Sequence, residues 1–306
     1  MNRKYLETAR LLIQVAPLIF NDDTFALKGG TAINLFLRDM PRLSVDLDLV
    51  FTDHHLEREH ALQRINAAMC DAAYRLNKKG FETYAIDSTG VGETKLLIRR
   101  GEVEVKVEVN FVMRGTVYPV RIAGLATKAR DLLMADLELP VVSNEDLYGG
   151  KLVAALDRQH PRDLFDVMQL FAHEGITPGI RRAFVVYLAC HNRPMHEVLF
   201  PKLRDIRQDF ESTFKGMTTE LVELDELLAT RARLVEELPR AIEVDERAFL
   251  FSVVRNAPRW ELLSIDHLHS LPGIRWKLRN LEQLARGSPV KFAEQYEALS
   301  ARFSDL

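Results

Sequence analysis

The fold of this chain is decided by two short stretches, FALKGGT at residues 25–31 and SVDLDLVF at residues 44–51. The first predicts a strand that ends in a glycine turn, followed by a short amphipathic helix at residues 31–38. Free backbone N–H groups at the start of a helix attract anions, so this turn is a candidate phosphate site. The candidate contacts are four consecutive residues: Lys28, Gly29, Gly30 and Thr31.

The second stretch alternates apolar and acidic residues, which is typical of a strand with one buried face. Asp46 and Asp48 then point the same way, and Ser44 shares their face as a candidate contact to nucleotide or metal-bound water. Neighbouring carboxylates repel each other unless a cation lies between them, and Mg²⁺ suits hard oxygen ligands. The apolar residues of this strand are expected to be buried: Val45, Leu47 and Leu49.

A third acidic residue is expected from a second alternating strand, EVEVKVEVNF at residues 102–111. Its valines lie on one face and its charged residues on the other. Glu108 is the preferred third metal ligand because it lies close to the expected strand end at Phe111, and Glu104 is the alternative. The competing interpretation is a polar face that simply contacts water.

A second charged segment lies at residues 143–167. We expect a helix from Asn144 to about Arg158 that carries Lys151, and Pro161 suits the first turn of a following helix. Cations here would neutralise the charge that develops on a leaving pyrophosphate. The competing interpretation is ion pairing among the charged residues of the segment: Arg158, Arg162, Asp163 and Asp166.

The glycine turn, the Asp-x-Asp strand and the later acid resemble the DNA polymerase β-like nucleotidyltransferase superfamily. The chain resembles the AbiEii/AbiGii nucleotidyltransferase toxin family more closely, because that family carries a Lys, an Arg and an Arg-Asp-x-x-Asp run in the second segment. The match falls on five residues of this sequence: Lys151, Arg158, Arg162, Asp163 and Asp166.

The resemblance implies roles for these residues. Asp46, Asp48 and Glu108 would bind two Mg²⁺ ions, and an NTP would be the substrate. Catalytic roles would fall on Asp46, Asp48 and Lys151, with Asp163 as a general base or an orienting residue. Nucleotide contacts would come from the glycine turn, from Ser44 and from three cations of the second segment: Lys151, Arg158 and Arg162.

The resemblance also implies an acceptor and a partner. Family members with an assigned activity transfer nucleotides to the 3′ end of tRNA, which blocks translation, and are encoded beside an AbiEi-like antitoxin. We therefore expect a monomeric, Mg-dependent nucleotidyltransferase toxin of a toxin–antitoxin (abortive infection) system. The alternatives are transfer to a small molecule or a protein hydroxyl, and a catalytically silent binding protein with the same fold.

The length of 306 residues exceeds what one core comfortably supports, so two domains are expected. Strand signals end near residue 140, and helical periodicity follows. We expect an α/β (α+β) nucleotidyltransferase domain with a mixed sheet at residues 1–140. An all-helical domain at residues 141–306 would close the cleft and carry the acceptor and partner contacts.

Composition and charge argue against a cysteine metal site, a membrane protein and a secreted protein. Cys70 and Cys190 give no metal-site spacing, no apolar run reaches membrane-spanning length, and the sequence start lacks a signal-peptide core. We therefore expect a cytoplasmic protein without membrane contact. The net charge of -3 conceals a basic stretch at residues 181–207, which is a candidate RNA-binding face or an ordinary solvated surface.

Overall fold

The computed structural model describes residues 3–88 and 93–306. Met1 and Asn2, part of the start on which the signal-peptide argument rests, lie outside these ranges. The chain divides into two compact units: unit 1 is Met1–Ser143 with Gly216–Leu221, and unit 2 is Asn144–Lys215 with Val222–Leu306. Within the described ranges, no helix is long and apolar enough to cross a bilayer.

Unit 1 is built on a seven-stranded mixed sheet. In chain order its strands are β1 (Phe25–Lys28), β2 (Leu47–Phe51), β3 (Glu82–Ser88), β4 (Glu93–Arg100), β5 (Val103–Asn110), β6 (Arg121–Gly124) and β7 (Glu138–Val141). Their order across the sheet is β3-β4-β5-β2-β1-β7-β6. The β1–β7 and β2–β5 pairs are parallel and the other neighbours are antiparallel.

The alternating pattern of β5 produces a one-sided strand. Val105, Val107 and Val109 are fully buried, whereas the charged residues between them are partly exposed. In β2, Leu47 and Leu49 are fully buried as expected. Val45 was also expected to be buried there, and this prediction is wrong. The residue is only half-buried because β2 begins two residues later, at Leu47.

The helices of unit 1 are α1 (Arg3–Ile19), α2 (Gly29–Thr31), α3 (Arg58–Lys78) and α4 (Thr127–Leu133). The amphipathic helix expected at residues 31–38 is instead the short turn α2 followed by a π-helix at Ala32–Leu37. This segment reads AINLFL, and its residues from Ala32 to Phe36 are all buried. An almost wholly apolar sequence leaves no polar face, so the segment is surrounded by the core.

The last part of unit 1 comes from far along the sequence. The Leu43 N–H donates to the Met217 carbonyl at 2.8 Å, and the Thr219 N–H donates to the Pro41 carbonyl at 2.9 Å. An isolated antiparallel bridge joins Arg42 to Thr218. We call Gly216–Leu221 the strap, because its backbone fixes the loop that leads into β2.

The named helices of unit 2 are α5 (Asn144–Arg158), α6 (Pro161–Ala172), α7 (Pro178–Cys190), α8 (Met195–Leu199), α9 (Arg207–Thr213), α10 (Leu224–Ala241), α11 (Val244–Val254), α12 (Pro272–Gly287) and α13 (Pro289–Ser304). Two 3₁₀ turns complete it, at Trp260–Leu262 and Leu268–Ser270. In the described part of unit 2 no strand occurs. The predicted fold class is therefore confirmed, as are the bounds of α5 and the position of Pro161 in the first turn of α6.

Helices α5 and α7 pack closely at one glycine. A Cβ atom added to Gly149 would lie 2.7 Å from the Ala183 Cβ and 2.8 Å from the Phe184 backbone nitrogen. Two of the three nearest atoms belong to the backbone and cannot rotate away. The neighbouring Gly150 has nothing within 4 Å of the same position. Only the first glycine is therefore required for helix packing.

These two glycines form a matched pair for a stability test. Gly150→Ala should raise the free energy of unfolding by roughly 0.5–1 kcal/mol, because alanine is the better helix former. Gly149→Ala gains the same propensity but forces α5 and α7 apart, so we expect a net loss of about 1–2 kcal/mol. Urea unfolding of both variants measures the difference. Equal stabilities would contradict the packing argument.

A buried lysine of α12 supports the end of α7. The Lys277 ammonium donates to the carbonyls of His191 at 2.9 Å and Arg193 at 2.8 Å, and its residue is 3% exposed. Burial lowers the pKa of Lys277 to about 8, against the opposing effect of Cys190 and Glu197. Burial also raises the pKa of the adjacent Cys190 thiol to about 12. Burial therefore disfavours the charged form of each group in the folded state, the ammonium of Lys277 and the thiolate of Cys190.

The lowered pKa of Lys277 predicts a pH-dependent stability. Between pH 8 and the ordinary lysine pKa, the unfolded chain binds a proton that the folded chain does not, so stability rises with pH. The unfolding free energy of the wild type, minus that of Lys277→Met, should increase by about 1 kcal/mol from pH 7 to pH 9. Both proteins keep Cys190, so its effect largely cancels in the difference. A difference that stays flat would refute the buried, charge-resisting lysine.

Candidate functional site

Charged residues form a row across the middle of the sheet in unit 1. Lys28 of β1 is the register partner of Asp48 in β2, and Asp48 is the partner of Glu108 in β5. Glu108 is in turn opposite Lys95 of β4. Register partners project from the same face of a sheet, so the row reads plus, minus, minus, plus. The two acids therefore lie side by side between lysines.

Glu108 is held by two lysines, Lys95 of this row and Lys106 of its own strand. Its Oε1 lies 2.8 Å from the Lys95 ammonium and its Oε2 lies 3.3 Å from the Lys106 ammonium. Burial alone would raise the pKa of Glu108, but the hydrogen bonds and charges of the two lysines outweigh it and lower the pKa. The alternative acid, Glu104, is exposed and pairs with Arg99 at 2.9 Å. The register thus brings Glu108, and not Glu104, next to Asp48.

The glycine turn lies directly against the carboxylate of Asp48. Gly29 has a left-handed backbone with φ of 75°, and a Cβ atom added there would be 2.2 Å from the Asp48 Oδ2. The close approach requires glycine for both its conformation and its missing side chain. Asp46 lies just before β2 and is partly exposed. Its backbone carbonyl accepts a hydrogen bond from the Thr31 hydroxyl at 2.5 Å.

The next glycine carries a second set of polar groups. A Cβ atom added to Gly30 would lie 2.7 Å from an Arg42 guanidinium nitrogen and 2.8 Å from the Ser44 hydroxyl oxygen. The hydroxyls of Ser44 and Thr31 are 3.1 Å apart. Of the eight predicted nucleotide contacts, four therefore lie in one short segment or against it, and Lys28 is the residue before the turn. The other three, Lys151, Arg158 and Arg162, belong to unit 2.

Two contacts of this segment were missed by the sequence reasoning. Arg42 is 3% exposed and donates to the Leu43 carbonyl at 2.8 Å, which places its guanidinium on the glycine turn. The Tyr5 hydroxyl accepts from the Ser44 N–H at 2.7 Å and donates to the Ser44 carbonyl at 3.2 Å. Arg42 continues the spacing of Ser44, Asp46 and Asp48 two residues upstream, which was a usable signal. Tyr5 gave none.

The donor set matches a divalent cation in chemical type. Asp46, Asp48 and Glu108 supply only carboxylate oxygens, which are the ligands that Mg²⁺ takes. In the described part of the chain, however, no group of three or more His, Cys, Asp or Glu side chains is arranged to hold a metal. The lysines beside Glu108 supply positive charge at this point instead.

The second charged segment forms a buried cluster in unit 2. The Lys151 ammonium lies 2.7 Å from the Asp163 Oδ1 and 3.0 Å from the Asp166 Oδ2. Lys151 is 8% exposed and Asp166 1%. The other Asp163 oxygen lies 2.8 Å from the Arg158 guanidinium, whose side chain is 63% exposed. The cluster joins α5 to the first turns of α6.

The ion pairing that the sequence offered as the competing interpretation is present, but it is buried and centred on Lys151. Arg162 takes no part in these ion pairs and is exposed. Its backbone N–H donates to the His160 imidazole at 3.1 Å, which caps α6. Arg158 and Arg162 are therefore the cations of this segment that solvent reaches.

Comparison with known proteins identifies a family and a shared fold. The profile of the family described as "Nucleotidyl transferase AbiEii toxin, Type IV TA system" matches residues 10–280. Among solved structures, the chain is similar to MenT4, a nucleotidyltransferase toxin from Mycobacterium tuberculosis H37Rv, with 18% sequence identity and a TM-score of 0.59. The similarity covers 91% of this chain and 94% of that one, and shows a shared fold. Curated protein sequences give no significant match.

The contact between Gly29 and Asp48 can be tested against a second left-handed glycine. Gly101 has φ of 61° and nothing within 4 Å of its added Cβ, so Gly101→Ala bears only the backbone strain, of order 1 kcal/mol. Gly29→Ala bears that strain and also displaces the Asp48 carboxylate. We expect it to lose a further 1–3 kcal/mol or so of unfolding free energy. Denaturant unfolding measures both variants, and equal losses would disprove the contact.

Proposed function

Because the chain belongs to the AbiEii family of nucleotidyltransferase toxins of type IV toxin–antitoxin systems, we propose that it transfers a nucleoside monophosphate from an NTP to the 3′ end of tRNA. Such an addition would block aminoacylation and stop translation. Family membership supports the NTP as donor and a cognate antitoxin as partner, which we propose to be AbiEi-like. The acceptor rests on the resemblance of the motifs alone.

One observation carries the proposal: the parallel register of β2 and β5 places Asp48 beside Glu108, with the Gly29 backbone against the Asp48 carboxylate. Metal-assisted phosphoryl transfer requires carboxylates that can hold a divalent cation beside a phosphate-binding turn. The cation balances the negative charge of both the carboxylates and the phosphates.

In the proposed reaction, the ribose 3′ oxygen of the acceptor attacks the α-phosphorus of the NTP. A new phosphorus–oxygen bond forms, the bond from the α-phosphorus to the bridging oxygen breaks, pyrophosphate leaves and the hydroxyl proton is released. Asp46, Asp48 and Glu108 would hold Mg²⁺, and the chemistry that the ion would supply when bound is Lewis-acid activation of the hydroxyl and positive charge beside the pyrophosphate. Five residues are proposed to receive the triphosphate: Lys28, Gly29, Gly30, Thr31 and Ser44.

The cluster of unit 2 is proposed to orient charge rather than to accept the proton. Both oxygens of Asp163 are within ion-pair distance of cations, Oδ1 of Lys151 and Oδ2 of Arg158. A carboxylate engaged in this way is a poor general base and a good anchor for the two cations. We therefore propose Asp163 as an orienting residue, Lys151 as its buried partner, and Arg158 with Arg162 as candidate phosphate contacts.

The direct test is a transfer assay. Purified protein is incubated with Mg²⁺, each α-labelled NTP in turn, and separate acceptor pools of total tRNA, protein and aminoglycosides. The proposal expects label on tRNA that is removed by trimming its 3′ end. Label on protein or on a small molecule would replace the acceptor, and no transfer with any NTP would refute the enzymatic function.

Glu104 and Glu108 lie on the same strand, so substituting each in turn distinguishes the proposed metal ligand from an exposed surface acid. Glu108→Gln should reduce transfer at least 100-fold, because it removes a negative charge next to Asp48. Glu104→Gln, which loses only an exposed pair with Arg99, should stay within about twofold of the wild type. Initial rates at saturating NTP and Mg²⁺ measure both. If the two variants lost activity equally, or Glu104→Gln lost more, the assignment of the third acid would fail.

A further inference from the structure

Unit 2 contains a cleft of about 610 Å³ that the proposed reaction does not use. It lies at the C-terminal end of α5, between α8, α13 and the chain that links α8 to α9. The charged and aromatic residues that matter here are Arg193, His196, Phe200, Lys202, Arg204 and Arg302. This volume is within the range of pockets that hold a nucleotide-sized ligand.

The cleft carries positive charge that the protein does not neutralise. Its two acids, Asp157 and Glu197, both pair with Arg193, at 2.5 Å and 2.9 Å. Among the described residues, no ion pair is formed by its other three cations, Lys202, Arg204 and Arg302. Unpaired cations gathered at one concave surface attract polyanions.

Two buried polar side chains fix the backbone that presents these cations. The Gln159 side chain donates to the Lys202 carbonyl at 2.8 Å and accepts from the Arg204 N–H at 3.0 Å. The Arg231 guanidinium donates to the Arg204 carbonyl at 2.7 Å and to the Gln159 side chain at 3.1 Å. Gln159 is 1% exposed and has a left-handed backbone with φ of 54°. A linker without regular structure is thus held rigidly at two cationic residues.

The cleft also offers groups that recognise more than charge. The Phe200 ring is half-buried and packs edge-on against Phe303, with ring centroids 5.7 Å apart, so its position is fixed. The Nδ1 atom of His196 is buried and, within the described structure, has no hydrogen-bond partner. A fixed aromatic ring beside cations is the combination that proteins use for unpaired nucleotides, since the ring stacks on a base while the cations contact phosphates.

We propose that this cleft binds the RNA acceptor, with Lys202, Arg204 and Arg302 on its phosphates and Phe200 against an unpaired base. The inference rests on the proposed function for the identity of the nucleic acid. It does not depend on the catalytic carboxylates, so it is tested by binding alone. A free nucleotide is the rival ligand, because it shares the phosphate and the base.

The test measures equilibrium binding of fluorescently labelled total tRNA to full-length variants. The double variant Lys202→Ala/Arg204→Ala removes two cleft cations. The control Arg279→Ala/Lys291→Ala removes an Arg and a Lys from exposed positions of α12 and α13 outside the cleft, so the net charge is matched. We expect at least tenfold weaker binding for the first variant and less than a twofold change for the control. The dependence of log affinity on log salt should also become shallower by about 1 to 2 for the first variant.

Each outcome decides the inference. Equal binding by the two double variants would overturn it, because only net charge would then matter. Weaker ATP binding by the cleft variant with unchanged tRNA binding would overturn it in favour of a free nucleotide. As a separate readout, Asp48→Asn should keep the tRNA affinity of the wild type and lose transfer. Cleft-dependent tRNA binding without transfer by the wild type would support the cleft and refute the proposed reaction.

Discussion

Unit 1 holds two negative charges next to each other, and the pairing of its central strands depends on offsetting their repulsion. Asp48 and Glu108 lie on parallel neighbouring strands at the same register position, where their repulsion opposes the pairing of β2 with β5. Lysines on both sides offset it: Lys28 opposite Asp48, and Lys95 with Lys106 around Glu108. The fully buried apolar faces of both strands supply the remaining stability. The acids are therefore maintained by the sheet and by the lysines that surround them.

Unusual backbone conformations are concentrated in the connection between β1 and β2. Within one connection the chain contains the left-handed Gly29, the π-helix Ala32–Leu37 and the left-handed Met40. Such conformations cost free energy and persist where the surroundings determine them, which is most often at functional sites. Here the determinants are the buried π-helix, the Tyr5 contact to Ser44 and the strap. The connection is held in place because contacts from two distant parts of the sequence, Tyr5 and the strap, converge on it.

Local periodicity was enough to predict the fold class, the one-sided face of β5 and the bounds of α5. Short motifs, and not periodicity, carried the family resemblance, which the match to the family profile confirms. What neither could supply was the pairing of distant residues. The Lys95–Glu108 contact depends on the order of the strands, and the Lys151 cluster depends on the turn between α5 and α6. The Arg42 contact depends on how its loop folds back against Gly30. A pattern of single residues contains none of these. The π-helix was missed because its apolar sequence is equally compatible with an ordinary helix.

The strap is synthesised long after the loop whose backbone it holds. A nascent chain that ends before Gly216 already contains both aspartates and the glycine turn, but it lacks the backbone partners of Pro41 and Leu43. Proteins fold progressively as they leave the ribosome, so the loop into β2 acquires its final hydrogen bonds only after about seven tenths of the chain has been made. The connection that carries the glycine turn and leads into the Asp-x-Asp strand therefore reaches its final hydrogen bonding late in synthesis.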